Sequence, residues 1–274
     1  MKFGLGSRYG IANTLRVALG VLILVLAVPS VSFAQSPFDG TWKDNPNQSK
    51  FSPKPLESSL SKGAYDCISC APKVHVKADG SDQVVSGQAY DTLAVKEVDA
   101  RTVQFVAKKN GKTTWEQTRT VSEDGKTQTI KTTSYPPNST SPVTAEAILE
   151  REGKTPAGAH AISGPWKLEK MSESENALIS TYKTSGEELT MTTSTGGSWT
   201  AKLDGKEYPV KGSYNVDTVS LKKINDHEIE ESYKRGGTLI EVDKVTVSAD
   251  GKTMTIVSEA KLTGRVSTFV ATKQ

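Results

Sequence analysis

Apolar and polar residues alternate along most of this chain with a period of two, which is typical of β-strands with one buried face. Residues 102–107, for example, read Thr-Val-Gln-Phe-Val-Ala. Turn signals such as Asn110-Gly111 and Asp250-Gly251 separate these runs at roughly the 8–12-residue spacing of all-β domains. The pattern predicts an all-β protein whose antiparallel meanders pack as barrels, with a β-sandwich as the second interpretation.

The chain contains one such unit twice. Residues 91–130 and 217–256 align without a gap at an offset of 126 residues and share 14 identities in 40 positions. The matches include the turn steps Asp124-Gly125 and Asp250-Gly251. A repeat of this kind predicts two similar domains.

The second copy has the clearer strand pattern. Its ten predicted strands are 164–171, 177–184, 188–195, 198–204, 206–212, 216–224, 228–234, 238–248, 253–262 and 266–273. In the first copy, residues 44–64 contain Pro46, Pro53 and Pro55, so we expect a loop or a poorly paired edge there. The proline-rich segment 136–142 is expected to separate the last two strands of this copy.

The first 34 residues have the composition of a secretory signal peptide. Three basic residues precede an apolar run at 17–28 that is too short to span a bilayer, and Ser32-Phe33-Ala34 has the small–x–small pattern of a cleavage site. We therefore expect cleavage before Gln35, with an N-terminal membrane anchor as the alternative. The remaining boundaries are predicted at 35–152 for the first β-domain, 153–161 for a linker and 162–274 for the second β-domain.

Cleavage changes the charge of the protein. Three of the 34 basic residues lie in the predicted signal peptide, which leaves 31 Lys and Arg against 31 Asp and Glu. A chain without net charge has no overall field to steer it onto nucleic acid or anionic lipid. We therefore expect no nucleic-acid partner, no stable membrane insertion after cleavage, and a periplasmic or secreted location.

Each copy begins with Gly-x-Trp and ends on an apolar strand that carries a cation. The tryptophans are Trp42 and Trp166, and the cations are Arg151 and Lys273. This arrangement resembles the secreted bacterial members of the lipocalin and fatty-acid-binding-protein (calycin) superfamily. The resemblance implies two barrels in which Arg151 packs on Trp42 and Lys273 packs on Trp166, each pair closing one barrel end.

Cys67 and Cys70 are the two cysteines of the chain. In an exported protein, a local disulfide is the simplest interpretation of this Cys-x-x-Cys pair. A zinc site with His75 as a third ligand is the alternative, although the usual fourth position holds Gly80.

No nucleophile–base pair, metal-ligand set or cofactor motif stands out. The three Gly-Lys-Thr triplets lack the preceding glycine of a phosphate loop, so we expect neither catalytic residues nor a cofactor. The leading hypothesis is an extracytoplasmic binding module that carries a small apolar ligand in one or both barrels. The alternative is a structural or envelope-interaction protein whose barrels are filled by their own side chains, which the aromatic content of 7% favours.

Overall fold

A computed structural model describes residues 36–274, which form twenty β-strands and one short 3-10 turn at Glu175–Ala177. The strands of the first repeat are β1 (Gly40–Asp44), β2 (Leu56–Ser61), β3 (Ala64–Cys67), β4 (Val74–Lys77), β5 (Gln83–Val84), β6 (Thr92–Asp99), β7 (Thr102–Lys109), β8 (Lys112–Val121), β9 (Thr127–Ser134) and β10 (Val143–Arg151). The strands of the second repeat are β11 (Gly164–Glu173), β12 (Ile179–Ser185), β13 (Glu188–Thr193), β14 (Ser198–Lys202), β15 (Asp204–Lys211), β16 (Thr218–Asn225), β17 (Glu228–Arg235), β18 (Thr238–Val247), β19 (Thr253–Ala260) and β20 (Arg265–Lys273).

These strands form two antiparallel ten-stranded sheets, which confirms the predicted all-β, barrel-like architecture. The second barrel is closed, with the order β1-β12-β13-β14-β15-β16-β17-β18-β19-β20. The first barrel has the order β4-β3-β2-β11-β10-β9-β8-β7-β6-β5. A bridge between Asp79 and Lys96 brings the end of β4 against β6, so the first barrel is nearly closed.

The internal repeat is visible in the strand registers. In the first barrel, the β7–β8 ladder shifts its register between Ala107 and Lys108. In the second, the β17–β18 ladder shifts between Tyr233 and Lys234, which lie 126 residues further along. The ten strands predicted for the second copy are all present, with boundaries within two residues of the observed ones.

The first copy departs from its prediction at one strand. Residues 45–55 contain no strand, but Leu56–Ser61 forms β2, which pairs with β3 on one side and β11 on the other. The three prolines of this region all precede β2, so they do not interrupt its ladder. The proline-rich loop at 136–142 lies between β9 and β10 as expected.

The first strand of each repeat lies in the barrel built by the other repeat. Strand β1 pairs with β12 and β20, and β11 pairs with β2 and β10. The barrels therefore do not follow the domain boundaries drawn at 35–152 and 162–274. The segment 153–161, predicted as an interdomain linker, connects two neighbouring strands of the first barrel, because β10 and β11 pair directly. The chain passes between barrels within 45–55 and again within 174–178.

Each barrel has its own apolar core. In the first barrel, inward side chains of β6, β7 and β8 pack around Leu60, Phe105 and Trp166. In the second, Trp42 and Trp199 are almost fully buried beside Met254. Both cores belong to one compact unit that spans Gln35–Gln274.

The predicted signal peptide at 1–34, with its cleavage before Gln35, lies outside the described residues. Within residues 36–274, no helix is long and apolar enough to cross a membrane.

Candidate functional site

The two tryptophan–cation pairs exist, but their partners are exchanged. Arg151 stacks on Trp166, with its guanidinium carbon 3.9 Å from the ring centre. Lys273 lies over Trp42, with Nζ 4.9 Å from the ring centre. The predicted pairs, Arg151 with Trp42 and Lys273 with Trp166, are therefore wrong. The reason is the strand exchange, which places each tryptophan beside the last strand of the other repeat.

The glycine of each Gly-x-Trp is favoured by a positive φ angle that L side chains rarely adopt. Gly40 has φ +137°, and a Cβ at this position would come within 2.9 Å of Lys273 Cε. Gly164 has φ +103°, and its Cβ would approach the Lys154 carbonyl oxygen to 3.3 Å. Each tryptophan Nε1 then donates a 2.8 Å hydrogen bond to the carbonyl four residues earlier. The motif is thus explained by barrel closure.

Cys67 and Cys70 form a disulfide, as predicted. Their sulfurs are bonded to each other, so the oxidised protein has no thiolates at this position for a zinc ion. The third proposed ligand, His75, instead places Nδ1 2.6 Å from Asp66 Oδ1 on the neighbouring strand. Across the described part of the chain, no group of three or more His, Cys, Asp or Glu side chains is placed to hold a metal ion.

A cleft of about 330 Å³ lies between the two barrels, at the mouth of the second. The first barrel contributes Trp115 and the Pro136-Pro137 step, and the second contributes Met191 and Tyr214. Small molecules are usually bound in concave sites of about 300–1,000 Å³ with mostly apolar walls. Its size and apolar lining make this cleft the leading candidate for a ligand site.

The floor of the cleft connects to a buried carboxyl group. Trp199 and Tyr233 both line the cleft, and Trp199 Nε1 donates to the Tyr233 hydroxyl at 3.2 Å. Tyr233 in turn donates to Glu231 Oε2 at 2.7 Å, and Tyr182 donates to Oε1 at 3.5 Å. Glu231 is only 2% exposed, and burial raises its pKa to about 7. The cleft therefore ends on an aromatic floor that is held by a hydrogen-bonded chain.

Two further acidic residues lie beside Glu231 inside the second barrel. Asp243 lies on β18, directly opposite Glu231 on β17. Glu241 is also on β18, two residues before Asp243. Burial raises the pKa of Asp243 well above its usual range, and repulsion from Glu241 and Glu231 adds to the effect. Burial also raises the pKa of Glu241. Burial thus shifts the titration of each of these groups towards its neutral, protonated form.

Neither the cleft nor the buried carboxyl groups were identified from the sequence. The repeat alignment could have indicated the carboxyl groups, because the aligned positions of the first repeat hold no acidic residue. The aligned pairs are Phe105 with Glu231, Trp115 with Glu241 and Gln117 with Asp243. The second repeat has acidic residues where the first has two aromatic residues and an amide. The cleft has no such signal, since it depends on how the two barrels pack.

No protein-family model matches the chain, and no curated protein or solved structure matches it either. The two ten-stranded antiparallel sheets, one closed and one nearly closed, place the protein in the class of antiparallel β-barrel proteins.

Proposed function

We propose that this protein is an extracytoplasmic binding module of lipocalin-like architecture that holds a small apolar ligand. The ligand site is the cleft between the barrels, because the core around Trp42 occupies the second barrel and the cavity beside Trp166 in the first has a volume of only about 160 Å³. The observation that carries the proposal is the cleft of about 330 Å³, with Trp115, Trp199 and Tyr214 on its walls.

The proposed location, periplasmic or secreted, is supported by the disulfide, since such bonds persist mainly in oxidising compartments. The basic–apolar–small pattern of residues 1–34 supports the same location. Membership of the calycin superfamily is supported by the two ten-stranded barrels and by the stacked cation at the end of each.

The cleft is tested with a neutral apolar fluorophore, N-phenyl-1-naphthylamine, titrated into the purified protein. Saturable binding is expected, and Tyr214→Ala should weaken it by roughly tenfold because an aromatic wall is lost. Tyr135→Ala is the matched control, since this tyrosine is exposed and its hydroxyl donates to Glu116 outside the cleft. Equal binding by both variants would contradict the proposed site.

The second candidate is a structural or envelope-interaction protein without a ligand, and the side-chain core of the second barrel favours it. Native mass spectrometry of protein purified from its own host separates the two candidates. A co-purifying small molecule that Ser213→Trp displaces supports the binding module, because Ser213 lines the cleft. Absence of both a co-purifying molecule and saturable fluorophore binding supports the structural role.

A further inference from the structure

The interior of the first barrel contains a second cavity, separate from the cleft. Its volume is about 160 Å³, and its walls include Ile130, Trp166 and the Cys67–Cys70 disulfide. A cavity of about this size accommodates a benzene-sized molecule. The cavity thus suits a compact group and not a long chain.

A buried amide without a partner borders this cavity. Gln128 is 2% exposed, and its Nε2 is buried without a hydrogen-bond partner among the residues described. Buried polar atoms in folded proteins almost always have a partner in the protein, in water or in a ligand. The cavity beside Gln128 is the space from which such a partner can come.

A guanidinium group borders the same cavity. Arg119 is on β8 opposite Ile130, two residue pairs along the β8–β9 ladder from Gln128, so both side chains lie on the inner face of the barrel. Its guanidinium carbon is 4.5 Å from the ring centre of Phe105, and its nitrogens donate to Gln117 and Tyr65. Within residues 36–274, no carboxylate forms an ion pair with Arg119.

The chemistry of these two groups selects the ligand. Arg119 has only donors, and the unpartnered Gln128 Nε2 is also a donor, whereas an ionised carboxylate has two oxygens that only accept. Most of the remaining lining is apolar, although Glu57, Ser58 and Ser69 also border the cavity. Glu57 alternates along β2 with the buried Ser58 and Leu60, so its position is on the outer face of the strand. We infer that the first barrel binds a small organic carboxylate, with its carboxylate on Arg119 and Gln128 and its apolar part against Ile130 and Trp166.

The second repeat provides an internal comparison. The residues aligned with Arg119 and Gln128 are Val245 and Met254, neither of which offers a side-chain donor for a carboxylate. The inferred site is therefore specific to the first barrel. Arg119→Val and Gln128→Met install residues that the same fold already accepts at these positions.

The test is isothermal titration calorimetry of the oxidised, purified protein with sodium benzoate and with neutral benzamide, which has the same ring. Benzoate should bind with one-to-one stoichiometry and more tightly than benzamide. Arg119→Val and Gln128→Met should each weaken benzoate binding by roughly tenfold or more, the usual effect of losing a hydrogen bond to a charged group. Arg101→Val is the matched control, because Arg101 is at an exposed turn and contacts Glu123.

Near-ultraviolet circular dichroism establishes that each variant is folded. Arg119→Lys keeps the positive charge and should therefore retain part of the affinity for benzoate. Three results would each overturn the inference and leave a cavity filled by water only. They are equal binding of benzoate and benzamide, unchanged benzoate affinity in folded Arg119→Val, and no heat above that of dilution. The two sites are distinguishable because Arg119→Val should leave N-phenyl-1-naphthylamine binding in the cleft unchanged.

Discussion

Arg151 stacks on Trp166 in the adjacent strand, and its guanidinium also donates to three backbone carbonyls, those of Gly125, Ala161 and Ser163, at 2.6–2.9 Å. One side chain therefore connects the β8–β9 turn, the β10–β11 loop and the first strand of the second repeat. Lys273 has the corresponding position in the second barrel, but among residues 36–274 its Nζ donates to a single carbonyl, that of Pro37, at 3.4 Å.

This difference predicts unequal effects on stability. Arg151→Ala should lower the free energy of unfolding by about 3 kcal/mol, because it removes a cation–π contact and leaves carbonyls without their donor. Lys273→Ala should lower it by only about 1 kcal/mol. Urea denaturation measures both, with Arg101→Ala as a surface control. Equal effects of the two variants would contradict the assigned role of the three carbonyl contacts.

The strand exchange predicts which engineered disulfides can form. Thr41 on β1 lies opposite Thr181 on β12, and their hydroxyl oxygens are 3.1 Å apart. Opposed residues of antiparallel strands have Cα atoms about 4.5–5.5 Å apart, which is within the range of disulfides. Thr41→Cys combined with Thr181→Cys should therefore oxidise to an intramolecular bond, detected by peptide mapping.

The control pair combines Thr41→Cys with Glu57→Cys. Glu57 lies opposite Pro165 on β11. Pro165 corresponds to Thr41 in the repeat, so Thr41 would lie opposite Glu57 if β1 took the place of β11 in the first barrel. A bond between positions 41 and 57, with none between 41 and 181, would show that each repeat keeps its own first strand.

The buried carboxyl groups predict that the protein is less stable in alkaline than in mildly acidic solution. Burial raises the pKa of Glu231 from 4.5 to about 7. The folded state therefore binds the proton more tightly than the unfolded state. The stability from this proton is fully present below pH 4.5 and is lost as the pH rises through about 7. Asp243 has the same direction of shift.

From pH 5.5 to pH 8.5 the loss from Glu231 should be roughly 2 kcal/mol, since its pKa of about 7 lies above pH 5.5 and each pKa unit corresponds to about 1.4 kcal/mol. Chemical denaturation at pH 5.5 and pH 8.5 measures the difference. Glu231→Gln should reduce the pH dependence, whereas Glu230→Gln, on the other face of the same strand, should leave it in place. A protein that becomes more stable towards pH 8.5 would disagree with the buried acidic interior.

The disulfide predicts a modest effect of reduction. Labelling without reductant should find no free thiol, because Cys67 and Cys70 are bonded to each other. The bond closes a very short loop, so replacing both cysteines by serine should cost about 2 kcal/mol of unfolding free energy. Thermal melting measures this cost. Two labelled thiols and retained zinc in protein purified without reductant would support the metal interpretation.

Much of the fold is predictable because it depends on local signals. The Asp250-Gly251 step marks a tight turn, and Gly251 has φ +70° there. Strand exchange is different, because Trp42 and Trp166 both stand in a Gly-x-Trp-Lys sequence that suits either barrel. Local alternation cannot distinguish these two arrangements. The pairing depends on tertiary packing, in which β10 and β11 lie side by side and are joined by residues 152–163.

The candidate sites were harder to predict than the fold. Arg119 and Gln128 look like ordinary polar residues of a strand, and only comparison with Val245 and Met254 shows that the first repeat has donors at positions where the second is apolar. Glu231 stands between inward-facing Ile229 and Tyr233, so its burial follows from the alternation once the strand is accepted.

The exchange also sets the order in which the barrels can be completed during synthesis. All strands of the first barrel have been made once β11 ends at Glu173. The second barrel needs β1, which is among the first segments made, and β20, which ends at Lys273. One edge of β1 can pair with β12 once Ser185 has been made, but the other edge has no partner until β20 is complete, and contacts of such long sequence separation form slowly. During that interval its apolar face and open edge are exposed to aggregation or to a chaperone.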